Sequence, residues 1–139
     1  MAETRESILK EARGALGVAR GAGEALNALL DRAGTAVPTP DAISTAASGL
    51  GPARETLERA GIALMLSRGG DPGTEDPAAF RKEALNVAHT LELLTTRIVT
   101  LRGNPPRGSG SGWDEALRSA ELGAYEAAKL LRAAAKGTE

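Results

Sequence analysis

Apolar residues return along this chain at alternating spacings of four and three. The clearest run is 77–102, where Phe80, Ala84, Val87, Leu91, Leu94, Ile98 and Leu101 trace one stripe. That rhythm predicts an amphipathic helix with a coiled-coil-like seam. Asp76 ahead of Pro77 supplies an N-cap followed by proline at the first helical position, and Gly103 supplies the stop. A second stripe of Ile8, Ala12, Ala15, Ala19, Ala22, Leu26, Leu29 and Ala33 predicts a helix over 3–33, ended by Gly34. A third, Ile43, Ala46, Leu50, Ala53, Leu57, Ala60 and Leu64, predicts one over 40–68 behind Thr39 as N-cap and Pro40. Gly49-Leu50-Gly51-Pro52 interrupts it. The proline removes a backbone donor and presses on the carbonyl of Ser48, which predicts a kink near Gly51. The last stripe, Trp113, Leu117, Ala120, Ala124, Ala127, Leu131 and Ala134, predicts a helix over 113–136, with Ser111 and Asp114 at capping-box spacing.

Between the stripes stand Gly, Pro, Ser and Asp, the residues of turns and short linkers. No segment alternates β-branched and aromatic residues as a strand would. Four helices of similar length on short connections favour an all-α, antiparallel up-and-down four-helix bundle, one domain over 1–139, with the second helix kinked near Gly51-Pro52.

Composition narrows the function classes. The 139 residues include no cysteine, which removes disulfides, thiolate metal sites and cysteine nucleophiles. Seventeen basic against eighteen acidic side chains leave a net charge of -1, so no basic field invites nucleic acid or an anionic membrane. The longest apolar run, Ile62 to Leu66, is far too short to cross a bilayer, and residues 1–10 carry acids where a signal peptide needs a basic and an apolar segment. A soluble, cytoplasmic monomer is expected. Aromatic residues make up 2% of the chain, too few to build stacking platforms.

The helix ends repeat one chemistry. Arg32, Arg68, Arg102 and Lys136 lie near the C-terminal ends, and Glu3, Glu6, Asp41, Glu83, Asp114 and Glu115 near the N-terminal ends, each sign where the helix dipole favours it. This agreement of caps, charges and periodicity resembles an idealised or de novo designed antiparallel four-helix bundle. The resemblance spans the whole chain but rests on no diagnostic motif. Two features depart from design habit: Gly51-Pro52 breaks the second helix, and Gly14, Gly17 and Gly21 lie opposite the seam of the first, where Glu or Lys would be usual.

The first and last helices carry bulk at their ends and only alanine and glycine at mid-length. If those two helices are antiparallel neighbours, two readings follow. In one, the small middle encloses a cavity for an apolar small molecule, with Ala15, Ala19, Ala22, Ala120, Ala124 and Ala127 on one wall and Leu91, Leu94 and Thr95 on the other. In the other, the core is closed, with Leu50, Leu57, Leu91 and Leu94 filling the middle, and the bundle serves a structural or partner-binding role through the glycine face or a helix flank.

His89 is the only histidine and raises a haem or porphyrin version of the first reading. At ~100° per residue, however, it points ~160° from the seam of its helix. Arg81 and Glu92 are either a polar anchor for a ligand or parts of interhelical ion pairs. No catalytic arrangement and no metal site emerge, because one histidine without cysteine completes neither a nucleophilic triad nor a ligand set.

Overall fold

A computed structural model describes residues 4–33 and 35–139 of the protein. The expected contribution of Glu3 to the first helix and the stop at Gly34 lie outside the described residues. The described residues form five α-helices and no strand: α1 (Arg5–Asp31), α2 (Pro40–Ala47), α3 (Leu50–Leu66), α4 (Pro77–Gly103) and α5 (Trp113–Lys136). Because α2 and α3 continue one another through a bend of 26°, they make a single kinked rod, and the molecule is an all-α bundle of four rods.

The caps explain the boundaries. The Thr39 hydroxyl accepts from the Ala42 amide at 3.1 Å, and the Asp76 carboxylate accepts from Ala78 and Ala79 at 3.0 and 3.2 Å. Each relieves orphan donors of a first turn. The start of α5 differs from expectation. Its N-cap is Gly112 at φ 85°, without a side-chain cap bond, and Asp114 faces Arg102 instead of closing a capping box with Ser111. An ion pair to a neighbouring helix has taken the carboxylate that the local pattern assigned to its own backbone.

The bend falls at Ser48 and Gly49, one turn before Pro52. The proline cannot donate to Ser48, and the Ser48 amide instead reaches the Thr45 carbonyl in a tighter turn at 3.2 Å. A Cβ on Gly49 would come within 2.9 Å of Val18 Cγ1, so glycine is what lets α1 approach the break closely.

The rods alternate in direction, as short connections predict, but neighbours in sequence are not all neighbours in space. Arg59 pairs with Glu11, and Arg5 reaches Leu64, so α1 and α3 are antiparallel. Arg132 pairs with Glu92, and Arg102 with Glu121, so α4 and α5 are antiparallel too. Arg20 meets Glu83 and Arg97 meets Asp31, which runs α1 parallel to α4. A Cβ on Gly123 would meet Leu50 and one on Gly61 would meet Ala134, which runs α3 parallel to α5.

Around the bundle the order is therefore α1, α3, α5, α4, and α1 and α5 face each other across a diagonal. Adjacency of the first and last helices, the premise behind a shared alanine wall, is corrected here. The segment 67–76 makes the crossing by passing over the start of α1. It is held there by Thr74 donating to Glu6 at 3.1 Å and by the Arg13–Glu75 pair at 2.9 Å. Gly73, at φ 63°, has the Glu6 side chain where a Cβ would stand, so the left-handed backbone and the close approach both favour glycine in this turn.

Candidate functional site

One apolar cluster runs through all five helices. Ala15, Ala19, Ala22, Leu91, Leu94, Ala120, Ala124 and Ala127 are buried in it. Thr95 is half-buried, and its hydroxyl donates to the Leu91 carbonyl at 2.8 Å, one turn back, so it needs no partner from elsewhere.

These residues do not gather around one opening. Ala15 borders a groove between α1 and α3, Leu91 one between α1 and α4, and Ala120 one between the kinked rod and α5. Glycine notches at mid-length are met by leucines. A Cβ on Gly23 would stand 3.0 Å from Leu91 Cδ2, and one on Gly123 would stand 3.2 Å from Leu50 Cδ1. The slender diagonal formed by α1 and α5 is thus matched by the bulky diagonal of α3 and α4, which supply Leu50, Leu57, Leu91 and Leu94. Large opposite small at the same level is how close-packed interiors fill their space.

His89 is exposed on the outer side of α4, away from the cluster, as its angle on the helical wheel predicts. Glu92 makes a two-pronged contact to Arg132 at 2.6 and 2.7 Å, and this bonding holds its carboxyl below the usual range, with further help from the charges of Arg132 and His89. Of the two roles open to Arg81 and Glu92, Glu92 takes the interhelical ion pair. Arg81 donates to the Thr138 hydroxyl and carbonyl at 3.0 and 2.7 Å and so ties the chain end to α4. No group of three or more His, Asp or Glu able to hold a metal occurs among the described residues, and no helix among them is long and apolar enough to cross a membrane.

Sequence pattern gave no warning of Arg5. It is 7% exposed, and its guanidinium donates to the Leu64 carbonyl at 3.0 Å, the Ser67 hydroxyl at 3.2 Å and the Gly137 carbonyl at 3.3 Å. A cation here satisfies carbonyls in the last turn of α3 and at the C-cap of α5. Read locally, Arg5 looks like one more polar residue in a first turn. Only the return of two other helices to that spot buries it. Trp113 carries the single buried side-chain nitrogen without a hydrogen-bond partner among the described residues.

Leu93, Val99, Leu122 and Tyr125 are more than half exposed along α4 and α5, and two further apolar places stand at the ends of the bundle. Ile62 and Met65 are each 59% exposed and Leu66 is 84% exposed, on consecutive turns at the end of α3. Half-buried Leu130 of α5 lies further down, level with Leu57, by the register that sets Gly61 against Ala134. At the opposite end of the bundle a cleft of about 440 Å³ opens between the ends of α1 and α4, floored by Leu30, Ala33, Leu101 and Pro106 and edged by Arg97. Of the run 62–66, which the sequence marked only as too short to cross a bilayer, Leu64 is buried and Ala63 half-buried, and the other three face outward. The cleft joins residues of two helices and a linker, so no local pattern displays it.

No known protein family, curated relative or solved structure matches this chain, and the functional reading rests on its own surfaces.

Proposed function

We propose that this protein is a partner-binding bundle with a closed core, which recognises an amphipathic helix of another protein through the exposed end of α3. The observation that carries the reading is the cluster of Ile62, Met65 and Leu66 on consecutive turns, with Leu66 84% exposed. Their i, i+3, i+4 spacing makes a short apolar ridge on the outer face of α3, which the apolar face of an amphipathic helix can cover. Contiguous exposed apolar surface costs solubility and is commonly an interaction site.

The size of the ridge selects the occupant. Three partly exposed side chains fall well short of the roughly 800 Å² per partner that a stable symmetric dimer buries. A short helix of a different protein needs less. The leucine-filled middle of the bundle favours this reading over an apolar ligand held between α1 and α5, because Leu91 and Leu50 already occupy the notches at Gly23 and Gly123.

The test uses a displayed library of amphipathic helical peptides, selected on the intact protein and counter-selected on the I62E/L66E variant. Both substituted positions are exposed, so the variant should keep its helical circular dichroism and melting temperature. Enriched peptides with apolar residues on one helical face, binding the variant at least tenfold more weakly, support the proposal. Enrichment indifferent to Ile62 and Leu66, or sedimentation showing that the ridge drives dimerisation, overturns it.

A further inference from the structure

The cleft at the far end of the molecule combines an apolar floor with a cationic edge. Leu30 and Ala33 at its base are buried, Leu101 and Pro106 are half-buried, and its volume is about 440 Å³. Arg97 projects from α4 along its α1 side. Its Nη1 donates to the Asn27 side-chain oxygen at 3.1 Å and its Nη2 to Asp31 at 2.6 Å. Those bonds aim the guanidinium and leave Nε–H and one hydrogen on each Nη for something else.

The carboxylate that Arg97 meets, Asp31, is itself 68% exposed and so mostly hydrated, and the neighbouring segments carry two further exposed cations, Arg32 and Arg107. The nearby Arg102 does not add to them, because it is paired with Asp114 and Glu121 on the α5 side at 2.9 Å each. An apolar hollow with one oriented guanidinium at its lip matches a molecule with a compact apolar body and a single anionic head. A carboxylate can accept two parallel N–H bonds from arginine, a geometry that a neutral head cannot reproduce with the same strength.

The geometry points to a binding site for small amphiphilic carboxylates in this cleft, with the apolar body against Leu30, Ala33 and Leu101 and the head on Arg97. The site is separate from the ridge at the end of α3, which lies at the other end of the bundle. Occupancy here leaves that surface open.

Octanoate is a suitable probe, with octan-1-ol as its neutral counterpart. Calorimetric titration of the intact protein, together with methyl chemical shifts of Leu30 and Leu101, should show saturable octanoate binding with shifts confined to the cleft. Arg97→Gln should weaken octanoate roughly tenfold and leave octan-1-ol nearly unchanged. Asp31→Asn, which removes the competing carboxylate, should tighten octanoate. Thr100→Trp, on the exposed wall, should block both. Because Arg97→Gln and Asp31→Asn are expected to act in opposite directions, a general loss of folding cannot imitate the pattern. Absence of saturable octanoate binding, equal binding by the Arg97→Gln variant, or shifts at Leu91 and Leu94 in place of Leu30 and Leu101 would overturn the assignment.

Discussion

Arg5 binds the last turns of two helices at once, and its consequences are larger than those of any surface ion pair in the molecule. Exposed pairs such as Arg20–Glu83 contribute little, because water already solvates both partners. Arg5 instead donates to two buried carbonyls, those of Gly137 and of Leu64, the second of which has only the Ser67 hydroxyl as a further side-chain donor. Hydrogen bonds from a charged group of this kind contribute about 1.5–3 kcal/mol each. Replacing Arg5 by Met should therefore lower unfolding free energy by about 2–4 kcal/mol in urea titration. Arg5→Lys should recover only part of that, because a single ammonium cannot span the Leu64 and Gly137 carbonyls as a fork does.

Glu92 gives a prediction of a different kind. Its carboxyl titrates below the ordinary glutamate range because Arg132 bonds the ionised form, and Asp114 is lowered in the same way by Arg102. A depressed folded value means that the unfolded chain binds the proton first. The stabilisation is fully present above the ordinary carboxylate range near pH ~4.3 and is lost as pH falls through the folded value. Melting temperature should consequently drop between about pH 5 and pH 3, and Glu92→Gln should flatten that slope while lowering the plateau at neutral pH.

At the scale of single elements, α1 and the kinked rod are the informative ones. A Cβ at Gly14, Gly17 or Gly21 would meet nothing within 4 Å, so this face has open space and ordinary helical backbone. Each glycine there leaves the unfolded chain more freedom than alanine would. Substituting all three by alanine should raise stability by about 0.5–1 kcal/mol per site, measured by thermal melting. A smaller gain would mean that the face is needed for an approach that alanine obstructs.

Gly49 looks similar in sequence and behaves oppositely, since Val18 stands where its Cβ would go. The kink itself was legible, because Pro52 states it through covalent geometry. The failure of the Ser111–Asp114 cap was not, because Arg102, which claims Asp114, arrives from another helix.

For the whole molecule, the question is whether the middle of the bundle is full. Ala19 and Ala124 are completely buried on opposite corners, and the leucines of α3 and α4 reach toward them. Ala19→Leu and Ala124→Leu should each destabilise the protein by about 1–3 kcal/mol through overpacking. If both are accepted with little loss, the middle is roomy and the ligand-holding interior becomes the better account of this protein.

The order of the rods decides what those alanines touch. Alternating direction follows from short connections and could be read from the chain. The diagonal crossing of 67–76 could not, because it depends on Glu6, Arg13 and Gly73 meeting over the start of α1, contacts between residues some 60 to 70 positions apart.

Sequence alone determined the helices, their caps at Thr39 and Asp76, the bend before Pro52 and which residues turn inward, because each follows from interactions within a turn or two of backbone. It also placed His89 outside, by the same local periodicity. Tertiary structure alone decided that α1 and α5 oppose each other across the core, that Arg5 is buried, and that a ridge and a cleft occupy opposite ends. Those outcomes depend on how four similar apolar stripes pair, and stripes of equal period leave the pairing open. Loop contacts and the matching of bulky to slender levels choose among the arrangements only once the rods have met.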